Sequence, residues 1–164
     1  MPKVSGMIPC PGATVEQDPW VPLKVTWHVD GGVQPLYLLV EGSGKGYVEL
    51  KLHPDSGALM SLIVVDLPAE KRCASRGIEG QVFDFFTPAF DVTLWGHANS
   101  VATERRVVRA VGDLSYSQGK DSICLGFIEG ASESVIKCGS VSVEVSKSGA
   151  LARLVAKTQN SFTV

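Results

Sequence analysis

Nonpolar and polar residues alternate with a period of two along several stretches of this chain. Leu23, Val25, Trp27 and Val29 fall on one side of a predicted strand, with Lys24, Thr26 and His28 on the other. The same pattern sets Val48, Leu50 and Leu52 against Glu49 and Lys51, and Val141, Val143 and Val145 against Ser142, Glu144 and Ser146. Leu36 to Val40 is a continuous nonpolar run. Leu59 to Leu67 is nonpolar on both faces, which predicts a central strand covered on both sides. The turn between Leu52 and Ala58 is His53-Pro54-Asp55-Ser56-Gly57. Proline presets φ at its first corner, Asp55 and Ser56 bond back to the backbone, and Gly57 takes the positive φ that closes the hairpin.

The tetrapeptide Ser148-Gly149-Ala150-Leu151 repeats Ser56-Gly57-Ala58-Leu59 and again joins two strand-like runs. Aligning Val40-Glu41-Gly42 with Ile128-Glu129-Gly130 brings the two turns into near register, which leaves open a duplication or a convergence on one turn chemistry. Between these halves, residues 69–76 have helix-forming composition. Residues 80–90 carry the densest aromatic cluster and are predicted to be core. Residues 100–111 read either as a helix capped by Ser100 and stopped by Gly112 or, in the preferred reading, as a strand over residues 106–111, and residues 117–121 turn a further hairpin. Five prolines between Met1 and Pro22 predict an extended arm over residues 1–22, with Trp20 placed to pin it, and residues 158–164 form a polar, loose tail. The fold class that follows is mostly β, with a β-rich α+β arrangement as the variant. About ten antiparallel strands would form a sandwich or a strongly bent sheet in one domain spanning residues 1–164.

At 164 residues, 45% hydrophobic and 20% charged, the chain suits one core. A formal net charge of −2 creates no long-range field of either sign, so nothing recruits nucleic acid. No nonpolar run approaches the roughly eighteen residues that span a bilayer, and the N-terminus lacks the nonpolar core of a secretory signal. The four cysteines, Cys10, Cys73, Cys124 and Cys138, are scattered, with no CxxC spacing. They read as buried thiols in a reducing compartment, and a cytoplasmic protein is expected.

Catalytic chemistry is sparse. Histidine, the commonest general base, occurs at His28, His53 and His97 only. No nucleophile elbow, activated cysteine, paired carboxylates or metal-ligand spacing is legible, so no catalytic, metal or cofactor residue is assigned. Gly42-Ser43-Gly44-Lys45-Gly46 lies between two strands, and no helix follows to hold a phosphate as a phosphate loop would. Lys71, Arg72 and Arg76, and again Arg105, Arg106 and Arg109, form small basic clusters suited to solvated surface or to an acidic ligand. The loop Trp95-Gly96-His97-Ala98-Asn99 has the composition of a recognition loop, and Trp95, His97 and Asn99 are the candidate partner-binding residues. The competing reading makes Trp95 the end of a core strand.

The order DLSYSQGKDSICLGF followed by GSVSVEVSKSGALARLVAKT, with LYLLVEGSGKGYVELKLHPDSGALMSLIVV before it, resembles immunity proteins that neutralise polymorphic or contact-dependent bacterial toxins. The resemblance covers about half of the chain and consists of strands and turns. It implies a cytosolic, non-catalytic protein that covers one partner protein, its cognate toxin. Immunity proteins that block nucleases are often acidic, so the near-neutral charge implies a toxin of another kind or a contact governed by shape. The alternative is a small-molecule or carbohydrate-binding β module that stacks its ligand on Trp20, Trp27 or Trp95, and an enzyme with a dispersed site comes third.

Overall fold

The alternating stretches become strands in the computed structural model of the protein, which describes residues 1–73, 80–96 and 106–158. In chain order the strands are β1 (Val4–Pro9), β2 (Ala13–Glu16), β3 (Leu23–Trp27), β4 (Leu36–Gly42), β5 (Tyr47–Leu52), β6 (Leu59–Asp66), β7 (Ala69–Glu70), β8 (Gln81–Asp84) and β9 (Phe86–Phe90). They continue as β10 (Val107–Gly112), β11 (Ser115–Gln118), β12 (Ser122–Gly126), β13 (Ser132–Cys138), β14 (Val141–Ser146) and β15 (Leu151–Lys157). Among the described residues one helical element is complete, the 3₁₀ turn Thr93–Trp95. None of their helices is long and nonpolar enough to cross a membrane.

A six-stranded sheet runs in the order β10-β4-β5-β6-β3-β2, a seven-stranded sheet in the order β7-β11-β12-β15-β14-β13-β8, and β1 pairs with β9 alone. One shared core lies between the large sheets. It joins Leu23, Val25, Leu38, Leu50, Leu62 and Val64 of the first to Ile123, Leu125, Val141, Val143 and Leu154 of the second, so the alternation read from the sequence is the inward face of a sandwich. Removing that nonpolar area from water is the main term favouring the fold.

The antiparallel expectation holds for the interior strands. Three edge strands depart from it: β10 runs parallel to β4, β7 to β11 and β8 to β13. A period of two sets which residues face inward and leaves strand direction open, so parallel edges are not readable from it. Four further readings need correction. Of the stretch 69–76, read as helical in composition, residues 69–70 form β7 and residues 71–73 are not helical, with Lys71 N–H bonded to Tyr116 O at 3.0 Å, while residues 74–76 lie outside the described residues. The arm over residues 1–22 is extended but woven in, as β1 on β9 and β2 on β3, while Trp20 pins nothing and is exposed. In the aromatic stretch Phe90 is buried, whereas Phe85 and Val82 are exposed. β6 is central, yet Val65 at its end is exposed on the outer face. The expected loose tail lies, beyond Thr158, outside the described residues.

The repeated tetrapeptides close turns of different length. In the first, His53 N–H bonds Ala58 O and Gly57 N–H bonds His53 O; in the second, Ser146 N–H bonds Ala150 O and Gly149 N–H bonds Ser146 O. The Val40/Ile128 alignment sets β4 against residues 124–130, the end of β12 and the chain after it, while β13 precedes the matching hairpin in the second sheet. Both turns share the chemistry of a glycine-closed hairpin.

The reading of all four cysteines as thiols is also corrected: Cys73 and Cys124 form a disulfide, while Cys10 and Cys138 are free and buried. The Cys138 thiol donates to Cys10 O at 3.4 Å, and the Cys10 thiol to Gly12 O at 3.1 Å. Burial, and then the neighbouring Cys10 thiol and the Asp84 charge, push the Cys138 thiol up from 9.0 to about 12. The folded chain thus keeps a proton that the unfolded chain releases. This contribution to stability is complete below pH 9 and is lost as pH rises toward about 12. A thiol-reactive dye should find no rapidly reacting thiol in the native protein and two per chain after denaturation without reductant.

Candidate functional site

The tryptophans divide sharply. Trp27 is 2% exposed and Trp95 4%, both within the core, whereas Trp20 is 88% exposed. Trp95 ends no core strand but is the one buried residue of the 3₁₀ turn: its indole N–H is shared between Tyr37 O at 3.2 Å and Arg106 O at 3.1 Å, fastening the turn to β4 and to the residue before β10. It is therefore unavailable as an exposed recognition residue, because an indole with one donor gains more from burial over two carbonyls than from solvent. His97 and Asn99 lie outside the described residues.

The two described histidines serve local structure. His28 Nε2 lies 2.7 Å from Thr14 Oγ1 across the β2–β3 pair. His53 Nδ1 accepts the backbone N–H groups of Asp55 and Ser56 at 3.2 and 3.3 Å, which makes the imidazole part of its own turn. Among the described residues no three His, Cys, Asp or Glu side chains gather to hold a metal ion. Asp91 is held below the usual carboxylate range by the Thr93 backbone N–H, bonded at 3.0 Å, and then by the Thr93 side chain, in the bend that leads into the 3₁₀ turn.

The segment that departs most from a buried or locally satisfied pattern is the β2–β3 connection, residues 17–22. Asp18 Oδ1 accepts both Trp20 N–H and Val21 N–H at 2.7 Å, and Asp18 N–H donates to Val21 O at 3.1 Å. Gln17 Nε2 closes the base on Pro22 O at 3.0 Å, above the Glu16–Lys24 ion pair at 3.6 Å. Pro19 and Pro22 restrict φ on either side of the indole. The backbone beneath Trp20 is thus fixed by four hydrogen bonds while its side chain stands in water. The signal was legible as Asp18-Pro19, a turn pair in which the aspartate folds back on the chain.

A second nonpolar side chain is displayed under strain. Phe85, between β8 and β9, has φ of 63° and is 63% exposed. Left-handed backbone is uncommon for a bulky residue and is retained where its surroundings impose it. Here Phe85 O accepts Cys10 N–H at 2.8 Å and so ties the arm to the junction of the two strands. Trp20 and Phe85 belong to different sheet edges. Compared with protein-family models and with curated proteins, the chain matches none.

Proposed function

We propose that the protein acts by binding another protein and not by catalysis, as a bacterial immunity protein that neutralises a toxin by covering it. The observation that carries the binding reading is Trp20: a fully presented indole on a pre-ordered turn. Tryptophan dominates protein-interface hot spots, and a turn ordered beforehand loses little entropy on docking. The toxin-neutralising part rests on the resemblance of residues 113–127 and 139–158. Cytoplasmic action belongs to the same proposal, and the Cys73–Cys124 disulfide weighs against it, since such bonds persist chiefly in oxidising compartments. Alkylating thiols at the moment of cell lysis reads the state of this pair directly.

The test is co-expression with a toxin encoded beside its gene. Growth should be rescued and a tight complex formed, and Trp20→Ala should weaken that complex about thirtyfold or more with an unchanged melting curve. No complex, or full affinity in the variant, overturns the reading. A small-molecule or carbohydrate-binding module draws on the same indole, because Trp27 and Trp95 are buried. Quenching of tryptophan emission by sugars, lost in Trp20→Ala, would favour it.

A further inference from the structure

Where the chain leaves β6 it joins the edge of the seven-stranded sheet as β7, and Cys73 then reaches back to the outer face. Ile123, Leu125 and Leu154 point into the core, so Cys124 of β12 and Arg153 of β15 point away from it. The 71–73 segment lies over that outer face, held by the Lys71 N–H bond to Tyr116 O and by the Cys73–Cys124 disulfide. Between this segment, the β4–β5 loop and the chain after β12 is a cleft of about 690 Å³. That is within the range of roughly 300 to 1,000 Å³ typical of small-molecule sites.

The charges in it are unbalanced. Lys45, Lys71, Arg72 and Arg153 line the cleft against Asp113 and Glu129, and with Glu144 paired behind Arg153 the four cations face three anions, a local excess of +1 in a chain of −2. Both lining acids are already engaged: Asp113 accepts the Ser43 hydroxyl at 3.0 Å, and Glu129 pairs with Lys71. Arg153 is the innermost cation, with a side chain 16% exposed. Its Nε donates to Glu144 Oε2 at 2.8 Å, and the same oxygen accepts the Ser132 hydroxyl at 2.6 Å. The guanidinium is thereby fixed in place before any ligand arrives, and a fixed planar fork suits an oxyanion better than a mobile ammonium does. Gly44 and Gly130 leave open space where a side chain would stand, so an anion has access to their backbone, and Leu114 and Ile128 supply nonpolar wall.

We infer that this cleft binds a small organic oxyanion, one with a phosphate or carboxylate head and a compact nonpolar body. It is not a phosphate loop, because its cations come from three separate segments and no helix contributes. Nor does it use Trp20, so it stands or falls apart from the protein-binding reading.

The experiment is a titration of ¹⁵N-labelled protein, at low ionic strength, with pyrophosphate and separately with citrate. Saturable shifts should appear at the amides of Gly44, Gly126, Gly130 and Arg153, and the tighter probe identifies the head group. Lys45→Glu and Arg72→Glu, both on exposed side chains, should each weaken binding about tenfold, whereas Lys24→Glu on the other sheet and Trp20→Ala should leave it unchanged. Arg153→Lys keeps the charge but loses the fork, and should weaken binding while retaining the fold. Absence of saturation at millimolar probe, or equal weakening by Lys24→Glu, overturns the inference.

Discussion

Replacing Cys73 and Cys124 together by alanine, or reducing the wild-type protein, should lower the melting temperature by about 10 °C. The disulfide closes a loop between residues 51 apart in sequence. Chain entropy for a loop of that length corresponds to about 4 kcal/mol of stabilisation through the unfolded state. In a chain of this size each kcal/mol moves the melting temperature by roughly 2 to 4 °C. The bond also joins the irregular segment after β7 to β12, bypassing β11, whose pairing with β7 is only two residues long. Because Cys10 and Cys138 are unbonded, reductant acts on one bond alone, so the reduced wild type and the double variant should melt together. A scan with and without reductant on both proteins checks this. Equal melting temperatures in all four samples would mean that the loop is not constrained.

Which parts of this architecture were readable in advance follows from the range of the interactions. β3, β5 and β14 each carry their own inward face, so their side-chain pattern specifies them without reference to partners. β1 does not: Val4–Pro9 contains a glycine and a proline and becomes a strand only because β9, more than seventy residues later by the pairing of Pro9 with Phe86, offers it a ladder. Cys73 and Cys124 carry no local mark that they pair. Trp95 and Trp20 illustrate the same limit in opposite directions. Trp95 follows a leucine and precedes a glycine but is drawn inward by the carbonyls of Tyr37 and Arg106, while Trp20 lies in a proline-rich arm that keeps it out. In the cleft, Lys71 and Arg72 were visible as a basic pair. Their company with Lys45 and Arg153 exists only once β6, β12 and β15 are folded, because the sandwich brings those segments together.

The two matching tetrapeptides give the most discriminating test of that local and global division. Gly57→Ala should destabilise the protein by roughly 3 kcal/mol or more, and Gly149→Ala by about 1 to 2 kcal/mol. Both glycines have positive φ, 72° and 80°, so both substitutions carry the same left-handed penalty of about 1 to 2 kcal/mol. What separates them is the surroundings. A β-carbon on Gly57 would stand 2.0 Å from the Phe90 carbonyl oxygen, a backbone atom that cannot turn aside, whereas on Gly149 the nearest atom is Val4 O at 3.3 Å. Each glycine carbonyl also holds a strand, Gly57 O accepting Phe90 N–H at 2.9 Å and Gly149 O accepting Val4 N–H at 2.8 Å, but only at Gly57 does relieving the clash move the turn against the strand that carries the buried Phe90 ring. The difference in melting temperature between the two variants should be at least several degrees, with Gly57→Ala the lower. Equal shifts would show that turn chemistry alone sets the role of these glycines. A larger loss at Gly57 would show that its turn also locks β9, and through β9 the N-terminal arm, onto the six-stranded sheet.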